Sequence, residues 1–300
     1  MTVVYRPARA DELQATQEHI VRSINDLTER HGFGPMATVR TPEFQLFSLD
    51  DDPAGLWTAE HDGLLAGSAF AWVCDDLWFL AELFVSPDQQ SQGIGNELLR
   101  RMLNHAAARG ASCKALLTFT FNRASQTLYI RHGIFPRFPV YMFGASREAV
   151  ISRLPPTNYR SVPIEKTPQH STLLALIDRS ALGISRDKHH RFLANDATVK
   201  GSLFYAGDDC VGYAYVNSLG HVGPLAVSQR GSVGLALQAA LRVAADTGSP
   251  HISAFIPGAS PDALTIAVTA GMRITFPMLL MSSRDFGDWS RYLPRNPGFM

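Results

Sequence analysis

The sequence predicts an α/β (α+β) chain of two tandem domains, each a mixed, mostly antiparallel sheet flanked by helices. Three observations lead there. The chain has 300 residues, and single hydrophobic cores stop growing near ~250–300 residues. Helix-like and strand-like apolar periods alternate along it. After a proline-rich stretch at 153–163 the same order of elements begins again.

The elements follow in order. Residues 3–6 read as a short strand limited by Pro7. Residues 10–30 read as a helix, with Leu13, Gln17, Ile20, Ile24 and Leu27 along one face. Residues 31–54 form a polar stretch with Pro and Gly and one short apolar piece, FQLFSL. Two strand-like runs meet at the His61-Asp62-Gly63 turn, a hairpin signal, and a turn at Cys74–Asp76 leads into a strand over 77–85. Residues 92–109 are helical, with Ile94, Leu98, Met102 and Ala106 on one face and Gly110 as the stop. A strand at 113–121, a short helix at 123–132 and a strand at 138–144 complete the first unit.

The second unit repeats this skeleton. LWFLAELFVS at 77–86 aligns without a gap on LGHVGPLAVS at 219–228, pairing Leu77 with Leu219, Leu83 with Leu225 and Val85 with Val227. The helix opening at Gly95 matches one opening at Gly234, HISAFI at 251–256 matches the strand from Cys113, and 260–270 matches 122–132. The expected boundaries are a first domain at 1–147, a linker at 148–162 and a second domain with a C-terminal tail at 163–300.

Composition narrows the function. Lys+Arg and Asp+Glu are 27 each, so the net charge is zero. No basic excess exists to displace counterions from nucleic acid. Charged residues make up 18% of the chain, below the roughly 25% of an average soluble domain. The 46% hydrophobic content excludes a disordered chain. Cys74, Cys113 and Cys210 are odd in number and sit beside apolar residues, which reads as buried thiols in a reducing compartment. No signal-peptide pattern and no run of the ~18 apolar residues that span a bilayer is present, so a cytoplasmic protein is expected.

The chemistry concentrates in Val85-Ser-Pro-Asp-Gln-Gln-Ser-Gln-Gly-Ile-Gly95, which joins a strand to an amphipathic helix. Glycines let the backbone approach a bulky anion, and a helix N-terminus offers unpaired N–H groups to a diphosphate. A Walker A loop would need Gly-Lys-Ser/Thr, and a dinucleotide fingerprint would need a third glycine where Leu98 stands. The glycine pair alone also fits an ordinary helix start.

The wider pattern is more specific. Val85-x-Pro87, Gln90-x-x-Gly93-x-Gly95 and Leu98-Leu99 resemble the acetyl-CoA motif of the GNAT N-acetyltransferase superfamily, and Asn122-x-Ala124 with Leu128-Tyr129 and Gly133 resembles its second motif. One departure is that Ile134 stands where the family has Phe, with Phe135 following. The resemblance implies that the backbone of Phe84 and Val85 pairs with the pantetheine arm. The amides of Gln90, Ser91, Gln92, Gly93, Ile94 and Gly95 would hold the diphosphate, and Asn122 and Ser125 would contact the cofactor. It places Tyr129 as the general acid. A phenol of pKa near ~10 stays protonated at neutral pH and can protonate a leaving thiolate. Without the motif, Tyr129 reads first as a helix-face aromatic packing on the sheet. Glu82, in the apolar strand FLAELFV, is the candidate general base, with a pKa raised by burial. It also reads as a strand-edge or ion-paired carboxylate. Some relatives use a C-terminal carboxylate instead, here Met300.

The second copy lacks these features. Pro224 stands at the position of Glu82, SQRGSVG replaces SPDQQSQGIG, and Ala267 stands at the position of Tyr129. It is expected to be a degenerate, non-catalytic GNAT-like domain. Its polar cluster of Asp178, Arg186, His189 and His190 reads as a solvated helix start. The alternative is a cleft group that orients an anionic substrate. The expected activity is direct acetyl transfer from acetyl-CoA to the primary amine of a small molecule, without metal, nucleic acid or membrane partners. The alternatives are an acyl-CoA sensor or scaffold, or an acyltransferase acting on a protein.

Overall fold

Contacts divide the computed structural model, which describes residues 3–300, into two units. The first comprises the chain up to Leu116 together with Arg123–His132. The second comprises Leu117–Asn122 and Gly133–Met300.

The first unit runs β1 (Val3–Pro7), α1 (Leu13–Arg30), α2 (Glu43–Asp51), β2 (Leu56–His61), β3 (Leu64–Cys74), β4 (Leu77–Val85), α3 (Ile94–Ala108), the first part of β5 (Cys113–Phe119), and α4 (Arg123–Arg131). Its strands lie in the order β1-β2-β3-β4-β5. The first three pairings are antiparallel and β4–β5 is parallel. Asp62 and Gly63 both take positive φ in the β2–β3 turn, as a tight hairpin requires. Helix α3 buries the expected stripe of Ile94, Leu98, Met102 and Ala106. It packs directly on β3 because Gly67 has no side chain. A Cβ there would lie 3.0 Å from the Phe84 carbonyl oxygen and 3.1 Å from Leu98 Cδ1.

The stretch at 31–54, read only as polar with one short apolar piece, contains helix α2 over that piece. Its apolar residues follow no single face, so helical periodicity gave no signal there. The end of α2 is tied to α3 through Asp52. His105 Nε2 lies 3.0 Å from Asp52 Oδ2, Arg109 Nε donates to the same oxygen at 2.9 Å, and Trp78 Nε1 donates to His105 Nδ1 at 3.2 Å.

The second unit contains β6 (Phe135–Ser146), α5 (Arg147–Arg153), β7 (Arg160–Pro163), α6 (Pro168–Leu182), α7 (Asp187–Asn195), β8 (Val199–Ala206), β9 (Asp209–Asn217) and β10 (His221–Val227). It continues with α8 (Val233–Ala245), β11 (His251–Pro257), α9 (Pro261–Thr269), β12 (Arg273–Ser282) and β13 (Tyr292–Leu293). From β7 to β12 the elements repeat the order of the first copy. The sheet order is β12-β6-β11-β10-β9-β8-β7, with β13 added to β10. Helix α8 is buried around most of its circumference, from Val233 to Ala245, against the strands of this core.

Two features differ from the sequence expectation. The stretch expected as a linker at 148–162 is mostly regular, since α5 and β7 occupy much of it and β7 pairs with β8. Strand β6, expected to close the first domain before 147, groups with the second unit. There it pairs antiparallel with β11 on one side and β12 on the other. Apolar pattern identifies a strand but not its neighbours, and β6 follows its own copy in sequence only. Among the described residues no helix is long and apolar enough to cross a membrane.

A chain cut after residue 147 therefore leaves β6 with neither of its partners and two open edges. We expect it to aggregate on size-exclusion chromatography, whereas the full chain elutes as a discrete species. A monodisperse truncated chain with a cooperative thermal melt would contradict this account of β6.

Candidate active site

The site begins with one extra residue in β4. Phe70 pairs with Glu82 and Ala71 with Leu80, so Ala81 is unmatched on β3 and forms a β-bulge. Pairing with β5 runs only from Leu77–Leu80 to Cys113–Leu116. Beyond the bulge, the β5-facing edge of β4 carries Ala81–Val85 without a ladder partner, while Phe84 and Val85 stay paired to Ser68 and Gly67 of β3. Unpaired strand edges are templates for another extended chain, which fits the role implied for Phe84 and Val85.

Glu82 follows the bulge. It is half-buried, and its Oε1 accepts a 2.7 Å hydrogen bond from Gln45 Nε2 of α2. Gln17 of α1 also hydrogen-bonds the carboxyl. Desolvation dominates and pushes the carboxyl up to about 7, with the two glutamine bonds offsetting part of the rise. Neither glutamine carries charge, so Glu82 belongs to no ion pair with them. The strand-edge reading is correct in part, because Glu82 does sit where the edge opens.

The loop after β4 makes a short 3-10 turn over Pro87–Gln89 and then enters α3 through Gly93. Gly93 is the N-cap in left-handed conformation with φ 85°, and no side chain caps the helix. Space for a Cβ at Gly93 is open, so the conformation rather than crowding calls for glycine. Ser91 also takes positive φ, 66°, which costs a non-glycine residue roughly 1–2 kcal/mol. Such strain clusters where a backbone is shaped for a ligand. The Ile94 and Gly95 amides open α3 without intrahelical acceptors. Bare amides at a helix N-terminus are the groups that anions use, and the amides of Gln90, Ser91, Gln92 and Gly93 lie in the loop directly before them.

Helix α4 supplies the second motif. A Cβ on Gly95 would lie 4.0 Å from Leu128 Cδ2, so α4 lies against the opening turn of α3. Ser125 stands three residues before Leu128 and four before Tyr129, so it neighbours both along α4. Tyr129 is 5% exposed, and burial raises its phenol well above the usual value. Its hydroxyl makes no hydrogen bond to a described residue and is not among the sealed polar atoms. Asn122 lies in the connection before α4, among residues that group with the second unit.

The second copy builds the same frame and fills it. β10 also has an extra residue, between Val222 and Leu225, where the sequence alignment places the bulge. Its pairing with β11 stops at Val222. Beyond that point the chain's own β13 takes the edge: Leu225 pairs with Leu293, Ala226 pairs with Tyr292, and the Val227 amide donates to the Arg291 carbonyl at 3.0 Å. Helix α8 is capped by the Ser232 side chain, and the Ser232 amide donates to the Tyr159 hydroxyl at 2.9 Å. Ala267 is fully buried in the core. Sequence reading found the lost loop and side chains but not the tail strand, whose two residues carry no periodicity.

The polar cluster of this unit is not a solvated helix start. Asp178 and Arg186 are both 0% exposed, and His189 and His190 are buried. Arg186 donates to both Asp178 oxygens, to the Tyr213 hydroxyl and to the Met300 main-chain oxygen. His190 bridges Asp178 at 2.8 Å and the Tyr215 hydroxyl at 2.9 Å. Burial alone would raise the Asp178 carboxyl, but Arg186 and His190 hold it well below the usual carboxylate range. Charges at 186 and 178 are buried because they pair, a long-range complementarity that local sequence does not display. Met300 is itself buried against Arg186, so its main-chain oxygen is engaged within the second unit. Among the described residues no group of three or more His, Cys, Asp or Glu is arranged to hold a metal ion.

Comparison with known proteins gives the geometry its context. Residues 21–134 match the acetyltransferase (GNAT) family. A search of curated protein sequences returns no match. Among solved structures, a putative acetyltransferase from Pyrococcus horikoshii superposes with a TM-score of 0.77 at 17% identity, over 99% of this chain and 96% of that one. A GCN5-related N-acetyltransferase from Sphaerobacter thermophilus gives 0.66 at 16% identity, over 96% and 98% of the two chains. A tandem GNAT protein from the clavulanic acid biosynthesis pathway gives 0.60 at 12% identity, over 95% and 99%. Residues 21–134 thus resemble the acetyltransferase (GNAT) family, and the chain shares its fold with tandem GNAT proteins over nearly its whole length.

Proposed function

We propose that the protein transfers an acetyl group from acetyl-CoA directly to the primary amine of a small molecule in the cytoplasm, with Glu82 as general base and Tyr129 as general acid. The observation that carries this reading is the raised Glu82 carboxyl at the bulge where the β4 edge becomes free. A carboxyl lifted to about 7 is half ionised at neutral pH, where a base works best.

The residues fit the cofactor. Phe84 and Val85 offer backbone groups to the pantetheine arm, the amides from Gln90 to Gly95 receive the diphosphate, and Ser125 and Asn122 flank the cofactor from the second motif. Acetyl-CoA, when bound, supplies the activated acetyl thioester. Glu82 takes the proton that the acceptor ammonium must lose before its nitrogen can attack. The Tyr129 hydroxyl gives its proton to the departing sulfur. Burial keeps that phenol protonated, and the same apolar surroundings make a thiolate a stronger base, so the transfer stays matched. Nothing in this scheme passes through an acyl-enzyme. The reading as a mere acyl-CoA sensor leaves the raised carboxyl beside the open edge without a purpose.

Three measurements test the reading. The base must be ionised, so thiol release should rise as pH increases through about 7. Glu82→Gln should lower kcat by about 10²–10⁴-fold and remove that limb of the pH profile; a profile unchanged in the variant would eliminate Glu82 as base. Tyr129→Phe should slow turnover by a comparable ~10²-fold or more while leaving acetyl-CoA affinity intact, as followed by calorimetry. Undiminished turnover would return Tyr129 to a packing role. Titration of the full chain should find one acetyl-CoA site, since β13 and Ser232 already occupy the corresponding groups of the second copy. Two equivalent sites would refute that comparison.

A further inference from the structure

The geometry points to a second small-molecule site, outside the groove beside Glu82, that takes a free aliphatic amino acid as its zwitterion. The site is a cavity of about 470 Å³ within the first unit, enclosed by α1, the β2–β3 turn and the first residues after β4. Pockets that hold small molecules run to roughly 300–1,000 Å³. Neither Glu82 nor any residue from Gln90 to Gly95 lines it, so the candidate base and the glycine loop are not part of it.

Its charges set it apart. Glu18 and Arg22 stand four residues apart on α1 with the acid nearer the N-terminus, the spacing and order that favour an ion pair along a helix. The chain makes such helical pairs elsewhere, Asp26 with Arg30 at 2.6 Å and Glu97 with Arg101 at 2.9 Å. Between Glu18 and Arg22 none forms. Arg22 turns to the cavity wall, where its guanidinium donates to Ser86 Oγ at 3.4 Å, and it makes no ion pair among the described residues. Glu18 is exposed at the rim and has neither a side-chain hydrogen bond nor an ion pair among the described residues. Asp88, on the loop, accepts a 3.3 Å hydrogen bond from Gln89 and pairs with no cation among the described residues. A half-buried guanidinium thus lacks a counter-charge while two carboxylates of the same cavity lack a cation.

The walls that carry these groups are fixed before any ligand arrives. Ser86 Oγ donates to the Leu65 carbonyl at 3.3 Å and accepts from His19 Nε2 at 2.9 Å, which joins α1, β3 and the loop. His61 Nδ1 meets Gln89 Oε1 at 2.8 Å and ties β2 to the same loop. Burial, together with the Arg22 charge, pushes the His19 imidazole down to about 4, so it is neutral and Arg22 is the permanent cation of the cavity. Ala15, Leu64, Leu65 and Ala66 make the rest of the lining aliphatic. A simple anion would gain Arg22 but meet Glu18 and Asp88. A simple cation would gain the carboxylates and leave the guanidinium facing a second positive charge. A zwitterion serves both: its carboxylate takes the planar fork of Arg22, its ammonium goes to Glu18 and Asp88, and an aliphatic side chain covers the alanine and leucine surface.

The test is calorimetric titration of the full chain, without acetyl-CoA, with L-alanine, L-valine and L-leucine and with two analogues of valine that each lack one charge, 3-methylbutanoate and isobutylamine. We expect L-valine to bind once per chain and at least about tenfold more tightly than either analogue, the scale of one charge-assisted hydrogen bond. Arg22→Gln should weaken L-valine by at least about tenfold, and Arg22→Lys should recover part of the loss because it keeps the charge without the fork. Glu18→Gln combined with Asp88→Asn should abolish the preference for L-valine over 3-methylbutanoate. L-Valine is itself a primary amine, so Glu82→Gln is the control, and the affinity should survive it. A loss confined to Glu82→Gln would place the amino acid in the transfer groove and overturn the second site. Isobutylamine or 3-methylbutanoate binding as tightly as L-valine would overturn the zwitterion, and no binding of any of the three amino acids would overturn the site. None of these readouts needs acetyl transfer, so failure here leaves the roles proposed for Glu82 and Tyr129 untouched.

Discussion

The site depends on a single unmatched residue, Ala81. A bulge adds local twist and bends its strand, and here the bend coincides with the end of β4–β5 pairing at Leu80 and Leu116. Two consequences follow from the same displacement. Main-chain groups from Ala81 to Val85 lose their ladder partners on one side, and the next side chain, Glu82, comes opposite Phe70 and within reach of Gln45. A straight β4 would have satisfied its edge with β5 and left no opening beside the carboxyl. The bulge is thus both the groove and the placement of the candidate base.

The second copy shows that the bulge is necessary for such a groove but not sufficient. Its β10 has the extra residue in the corresponding place and its pairing with β11 stops as early. The freed edge is then closed by Tyr292 and Leu293, and the helix that would present bare amides is capped by Ser232. The first copy leaves this edge of β4 without a ladder partner among the described residues, and the second closes it internally. An unsatisfied buried amide or carbonyl costs roughly 1–3 kcal/mol, so a copy that fills its own groove gains stability.

Much of the architecture was legible because it rests on periodicity and turn chemistry. The stripe along α3, the Asp62–Gly63 hairpin and the repeat of element order are local or regularly spaced signals. The loop from Val85 to Gly95 was legible for a different reason: glycine at a helix N-cap has few purposes, and φ 85° at Gly93 is one of them. The positive φ of Ser91 was not, because serine carries no mark of the left-handed region. What escaped the sequence was whatever depends on distant partners. Gln45 and Gln17 have no meaning until a fold brings them to Glu82. Arg186 read as a solvated charge because its complement, Asp178, lies a turn and more away in another helix. β6 was found as a strand, but its insertion between β11 and β12 is a fact of topology.

The two units also divide their polar chemistry in opposite senses. In the second, Arg186 and Asp178 are both fully buried and fully bonded, and His190, Tyr213 and Tyr215 complete the network. That arrangement fixes one packing of α6 and α7 against the sheet, because either charge left alone inside would cost several kcal/mol. In the first unit Glu82 has only neutral amides for company and is pushed up to about 7. A nearby arginine would have lowered it and made it a permanent anion, bound to its partner and useless for taking a proton. The absence of charge in Gln17 and Gln45 is therefore as informative as the carboxyl they hold: they orient it by hydrogen bonds without fixing its ionisation. A carboxylate kept this way is poised between its two states, which is the condition for a proton acceptor and the reverse of what a structural ion pair requires.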